Sequence, residues 1–369
     1  MNPANPSTRA EKPLDPAPQR RPELCSALHA ALVEAQHPAA QQPLEFLRDK
    51  GLAHDHVRLV GTGLLARVPK QSQLNLAAQD NLDYQRTCFE RAAASGHTPP
   101  LQGVLPPSRH LPRGALLVQE IPGRPASLPR DLPALAGALA ALHALPLPGA
   151  LARSPLLNAP DPLQSLLEEI DAQAGYLGAA GLSATVVAVI GRERQRLLQC
   201  ARRPERPERC LISFDAHPGN FMVQPDGRAV LVDLEKCRYA YPGLDLAHAT
   251  LYTSTTWDVD THAVLTVEQV QAFYAAWTLA VGPLAAGAWA WHVPLRRAMW
   301  LWSVTWCAKW RALSGAHRQA LADGEDWSGE RSEAALVNHV RGRVDHYLSP
   351  AVVSEVMDGF DQLGRGLRA

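Results

Sequence analysis

Apolar positions along this chain follow two regimes that meet near Gly123. Before it they come in short runs closed by Gly or Pro: VRLVGTG (57 to 63), LLARVPK (64 to 70) and GALLVQEIPG (114 to 123). Runs of that length and punctuation read as strands, so the pattern predicts three strands of a small sheet. ELCSALHAALVEAQ, ahead of them, has the spacing of an amphipathic helix. LNLAAQDNLDYQRTCFERAAASG predicts another, with Gly96 placed to cap it.

Past Gly123 the pattern turns helical. DLPALAGALAALHALP offers Asp131 as N-cap, Pro133 in the first turn and Pro146 as a stop, and DPLQSLLEEIDAQAGYL repeats the arrangement with Asp161 and Pro162. No repeat period is present. The shift divides the chain into a sheet-rich lobe with a leading helix (23–122) and a larger helical lobe (123–369). Residues 1–22, rich in proline and charge and without the apolar stretch of a secretory signal, are expected to form a disordered arm.

One stretch, AFYAAWTLAVGPLAAGAWAW (272 to 291), is uncharged over about the length of a bilayer span. Its residues are mostly Ala and Gly, and Gly282-Pro283 interrupts it, so two shorter buried helices with a turn are expected and no membrane span. Lys plus Arg and Asp plus Glu both number 36. That balance argues against a nucleic-acid partner, which a basic face would serve. The six cysteines are scattered without a CxxC pair, which fits reduced, buried thiols and a cytoplasmic protein better than a zinc site.

The chemistry concentrates in FDAHPGNFMVQPDGRAVLVDLEK (214 to 236). CLISFD reads as a strand delivering Asp215 to a loop, and FMVQ and AVLV as two more strands joined by PDGR, where Gly227 allows a positive φ. Paired strands lie about 5 Å apart, so Asn220 before the first and Asp233 after the second reach the same open end. Four residues separate Asp215 from Asn220, which keeps that carboxylate close. Hard oxygen donors of this kind suit Mg²⁺ on nucleotide phosphates, while the remaining carboxylate can accept or orient a hydroxyl proton. Asn220 and Asp233 are thus candidate metal ligands and Asp215 the candidate catalytic carboxylate. The bland alternative makes all three ordinary turn and cap residues.

FDAHPGNFMV followed by VLVDLEK resembles the catalytic loop and metal-binding segment of the aminoglycoside phosphotransferase and choline kinase-like family. That resemblance implies an α+β, two-lobed protein-kinase-like fold, with a small antiparallel-sheet N-lobe and a larger, mainly helical C-lobe. It also implies ATP and Mg²⁺ as cofactors and a small-molecule hydroxyl as acceptor. YPGLDLAH is similar to the family's following segment, in which Asp245 would brace the catalytic region. Ser213 stands where the family usually has His, and His217 would order the loop.

Nucleotide contacts are less defined. Gly61 and Gly63 let backbone approach phosphate, or simply make a hairpin turn. Arg67 and Lys70 both qualify as the phosphate-contacting base. In kinases of this fold a glutamate on the next helix holds that base, and Glu90 is the candidate. QEIPG resembles the hinge, with backbone groups around Glu120 and Ile121 facing adenine. His143 falls in a run resembling the helix beneath the site and reads as a packed histidine. Trp302, Trp306 and Trp310 step by four, giving a packing stripe, with an aromatic cage for a cation as the alternative. DGEDW (323 to 327) reads as a solvated loop, with attraction of an amine as the alternative. The expected activity is transfer of the γ-phosphoryl group to an alcohol; a catalytically inactive nucleotide-binding regulator of the same fold is the alternative.

Overall fold

A computed structural model of the chain describes residues 17–48, 51–314 and 333–366. The first lobe is a five-stranded antiparallel sheet in the order β1-β2-β3-β5-β4. Its strands are β1 (Leu44–Phe46), β2 (His54–Leu59), β3 (Leu64–Pro69), β4 (Leu101–Leu105) and β5 (Ala115–Gln119). Three of them are the strands the apolar runs predict. β1 is only three residues long and β4 shifts register at Gly103, so neither carries a clear period-two signal.

Alternation sorts the two faces of this sheet. Val57, Leu59, Ala66, Val68, Ala115 and Leu117 pack with Leu28 and Leu32 of α1 (Ala17–Glu34). Leu116 and Val118 turn the other way, toward Leu82, Cys88 and Phe89 of α2 (Ala78–Ala92). Arg67 pairs in register with both His56 and Leu116, so it too faces inward. α1 begins inside the span expected to be a disordered arm: Leu28 and Leu32 anchor it and APQRR continues the helix in front. Residues 1–16 of that arm lie outside the described residues.

The connection between lobes passes through Gly123 into β6 (Arg124–Pro125), which pairs with β8 (Phe221–Val223). A Cβ on Gly123 would stand 2.6 Å from the Val223 carbonyl oxygen, so this crossing requires glycine. β8 forms a hairpin with β9 (Ala229–Leu231), while β7 (Cys210–Ile212) pairs with β10 (Arg238–Ala240).

Helices make up the rest. α3 (Leu132–His143) runs beside α8 (Val267–Val281) and under β7 and β9. α10 (His292–Ser314) is central, packed on α4 (Pro162–Ala174), α5 (Ala184–Ala201), α6 (Pro242–His248) and α11 (Ala334–Tyr347), with α12 (Pro350–Gly366) beyond. Asp161 caps α4 through the Leu163 N–H as its sequence predicts. Asp131 does not cap α3: its carboxylate is instead taken by Arg124, Arg130 and the Ser127 N–H.

The uncharged stretch splits at Gly282, where φ is +75°, into α8 and the short α9 (Ala285–Ala288). None of the described helices is long and apolar enough to cross a membrane. Trp300 and Trp310 are buried, Trp302 donates to Glu169 at 3.1 Å, and Trp306 meets Trp257 edge-on, as befits a packing stripe. The six cysteines are free thiols, five of them buried. DGEDW lies outside the described residues.

Candidate active site

β7 feeds the DAHPGN loop through Phe214, which sits at φ +59°, an uncommon conformation for a bulky residue. Three contacts hold it there. Asp245, fully buried in the first turn of α6, accepts from the Ser213 N–H at 2.7 Å and the Phe214 N–H at 2.8 Å. The Arg238 guanidinium stacks 3.7 Å from the Phe214 ring, and Trp302 closes the other approach edge-on. Asp245 is itself oriented by His143, whose Nε2 lies 3.1 Å away, and His143 Nδ1 accepts from Trp277 Nε1–H at 3.0 Å. Because Nδ1 is an acceptor, the His143 proton resides on Nε2 and is donated to Asp245. His143 is thus packed, as expected, and also works as a strut beneath the loop.

The loop then folds back on itself. Ser213 Oγ accepts from the Asp215 N–H at 3.1 Å, supporting the loop from the position where the family usually has His. Asn220 Nδ2 donates to the Asp215 carbonyl at 2.9 Å, and the Val232 N–H donates to the Asn220 carbonyl at 2.8 Å. The hairpin therefore brings Asp215, Asn220 and Asp233 to one end, as its sequence predicts.

Burial alone would raise the Asp215 pKa, but Lys236, with His217 and His248 behind it, outweighs burial and holds it below the usual carboxylate range. Lys236 Nζ lies 3.2 Å from Asp215 Oδ2. His248 Nδ1 stands 3.9 Å from Asp215 Oδ1, and burial drives this imidazole down to about 4, so it is neutral at neutral pH. For Asp233, burial is overcome by Arg67, which keeps the carboxyl well below its ordinary value. Arg67 Nη2 donates to Asp233 Oδ1 at 2.7 Å and Nη1 to the Val232 carbonyl at 3.0 Å.

Arg67 and Lys70 are thereby separated. Arg67 reaches Asp233 of the second lobe, whereas Lys70 is buried on the other face of the sheet, 3.5 Å from Asp55 and 3.3 Å from the Gly51 carbonyl. Lys70 is a structural cation. Glu90 does not hold the base: it is half-exposed and pairs with Arg86, because Phe89, one position earlier, is the α2 residue beneath the Arg67 guanidinium. Gly61 and Gly63 both have positive φ in the β2–β3 turn, which Thr62 closes through its hydroxyl. The Glu120 N–H is spent on the Gly63 carbonyl at 2.8 Å, and its side chain on Arg58 at 2.7 Å. Ile121 keeps both backbone groups unpaired among the described residues.

Sequence reasoning overlooked two neighbours of Asp233. Glu235 and Lys236 occupy the middle of a turn closed by the Cys237 N–H on the Leu234 carbonyl at 3.1 Å, so they leave in different directions. Glu235 crosses to the first lobe, where Gln73 donates to it at 2.6 Å and His54 Nδ1 lies 3.4 Å away. Burial, reinforced by Asp233, pushes Glu235 well above the usual carboxylate range; burial, then Arg67, brings His54 down to about 4. His54, Asp233 and Glu235 have ligand atoms within 4.8 Å of one another; Arg67 takes one oxygen of Asp233 and the Gln73 amide one of Glu235. The cluster is a hydrogen-bonded bridge between lobes. Both residues stand in the DLEK stretch that first drew notice, but nothing in the spacing says which way a two-residue turn throws its side chains.

The oxygen donors fit Mg²⁺. Asn220 uses its amide N–H internally and keeps its oxygen, and Asp233 Oδ2 has no hydrogen-bond partner among the described residues.

Comparison with known proteins supplies a second line. The model of a phosphotransferase enzyme family matches residues 51–287, more than half of the chain. Among solved structures, the chain is similar to a choline/ethanolamine kinase family protein from Mesorhizobium loti, at 18% identity and TM-score 0.54 over 91% of this chain and 99% of that one. A choline kinase from Streptococcus pneumoniae aligns at 13% identity and TM-score 0.54 over 85% and 99% of the two chains. An ADP-bound aminoglycoside phosphotransferase aligns at 15% identity and TM-score 0.51 over 86% and 96%. At these identities the likeness is one of fold: the two-lobed, protein-kinase-like architecture expected from the sequence. A sequence search of curated proteins returned no match.

Proposed function

Because the chain belongs to the phosphotransferase enzyme family, we propose that it is a small-molecule kinase, moving the γ-phosphoryl group of ATP to an alcohol with Mg²⁺. The observation that carries this reading is the convergence of Asp215, Asn220 and Asp233 on one end of the hairpin, with Arg67 reaching Asp233 from the first lobe. Phosphoryl transfer asks a protein mainly for positioning and charge. Asn220 and Asp233 would hold Mg²⁺, which supplies positive charge to the phosphate oxygens. Arg67 offers a planar fork for the phosphates, and the Ile121 backbone groups are available to a purine edge. Asp215, ionised at neutral pH, accepts the hydroxyl proton of the acceptor as the new P–O bond forms.

The ADP in one structural neighbour and the small-molecule kinases among the others support the same reading. The test is phosphate transfer from Mg-ATP to a panel of amino-alcohols, sugars and aminoglycosides, beside thermal stabilisation by Mg-ATP. Wild type is expected to transfer phosphate to a member of the panel, and Asp215→Asn to lose at least about 10²-fold in kcat while still being stabilised by nucleotide. Stabilisation without turnover on any acceptor would instead indicate the inactive nucleotide-binding regulator.

A further inference from the structure

The Asp215 carboxylate faces an ammonium. Lys236 Nζ lies 3.2 Å from it, with both side chains largely out of solvent. Among the described residues it is the permanently charged partner of Asp215, since the nearby His248 is neutral. The Lys236 charge also acts on Asp233, though less than burial, Arg67, His54 and His56.

Its backbone is fixed from both sides. Glu235, the residue before, is bound by Gln73, and the Cys237 carbonyl, the residue after, accepts from the Tyr84 hydroxyl at 2.7 Å. A turn clamped in this way aims its remaining side chain. Composition points the same way, for only five of the 36 Lys and Arg residues are lysines (12, 50, 70, 236 and 309). Arginine would grip the carboxylate as a two-toothed fork; lysine is a compact point charge on a flexible stem, able to exchange one oxygen partner for another.

A standing ion pair poses a chemical problem as well, because a cation on Asp215 makes it a poorer proton acceptor. The difficulty disappears if the cation leaves for the phosphoryl oxygens as their charge grows. We propose that Lys236 is a catalytic cation which neutralises the phosphoryl group during transfer and holds Asp215 in place between turnovers. In that step the bond from the γ-phosphorus to the ADP oxygen breaks and a bond to the acceptor oxygen forms. The acceptor proton passes to Asp215, freed from its ammonium, and ADP departs with the bonding pair.

This inference rests on the kinase reading, and the experiment separates the two. Wild type, Lys236→Met and Lys236→Arg are assayed for kcat and for KM of Mg-ATP, with the best panel acceptor or with water and phosphate release. Melting temperatures are taken alongside, as is affinity for Mg-ADP with and without aluminium fluoride, a mimic of the phosphoryl group in transit. Expected for Lys236→Met are a fall of about 10²-fold in kcat, a KM for ATP within about threefold, and a lowered melting temperature, since Asp215 loses its partner. It should also lose the aluminium fluoride-dependent gain in ADP affinity while binding ADP alone normally. Lys236→Arg should recover about tenfold of the lost kcat, since it restores charge but not shape. A kcat for Lys236→Met within threefold of wild type overturns the proposal. So does a loss that follows the melting temperature and is not relieved by arginine, which marks a merely structural lysine. Failure of the underlying reading looks different: wild type itself neither binds Mg-ATP nor turns over, and the role of Lys236 falls with it.

Discussion

Arg67 and Lys70 are three positions apart and of one charge, yet the pleat sends them to opposite sides of β3. Both satisfied the sequence criterion of a basic residue on that strand; parity and burial decide between them. Arg67→Met should raise the KM for ATP by more than about tenfold, because a charge-assisted fork to phosphate and Asp233 is lost. Lys70→Met should leave that KM within about threefold and instead cost about 3–5 kcal/mol of stability, because it removes the ammonium that the buried Asp55 faces. Urea unfolding and ATP-dependent kinetics on the two variants check both halves. Equal kinetic defects in the pair would contradict the assignment of Arg67, and not Lys70, to the site. Glu90 carries the same lesson: a helix residue facing the sheet had to be chosen from its spacing alone, and the choice missed by one position, with Phe89 taking the inward direction.

Elements were legible where their signal was local. Strands bounded by Gly and Pro, the α4 cap at Asp161 and the break at Gly282 all follow from a few adjacent residues. β6 and β10 carry no such signal, since two- and three-residue strands exist only because β8 and β7 offer them an edge. The same distinction runs through the site. Asp215, Asn220 and Asp233 share one hairpin and could be read together, whereas the bridge from His54 and Gln73 to Glu235 joins positions more than 160 residues apart. Gly123 belongs to this second class. Its need for glycine arises from the passing Val223 carbonyl rather than from its own φ. Gly123→Ala should therefore push β6 off β8 and cost about 1–3 kcal/mol. Guanidinium unfolding measures this, and an unchanged midpoint would mean that the lobes tolerate a wider crossing than the hairpin contact implies.

At the scale of the whole molecule, two histidines deep in the larger lobe set a pH dependence. Burial brings both His248 and His292 down to about 4, and His292 stands among Tyr274, Trp277 and Trp289 with no hydrogen-bond partner for either ring nitrogen among the described residues. In the unfolded chain each would titrate near its ordinary value of about 6.5. Between those limits the unfolded state binds more protons, so stability is complete above about pH 6.5 and declines as pH falls toward 4. Urea midpoints at pH 7.5, 5.5 and 4.5 should fall in that order, and His292→Phe should flatten the decline. A midpoint that rises on acidification would contradict the burial of both rings.

Trp277, His143 and Asp245 come from three different helices, and each is almost wholly enclosed. The backbone that leads into Asp215 is therefore set from the interior, before anything arrives from solution. Under the proposed kinase reading, surfaces that meet the acceptor could drift in sequence without disturbing that interior, which would leave the scaffold free to be re-aimed by rebuilding its outer walls alone.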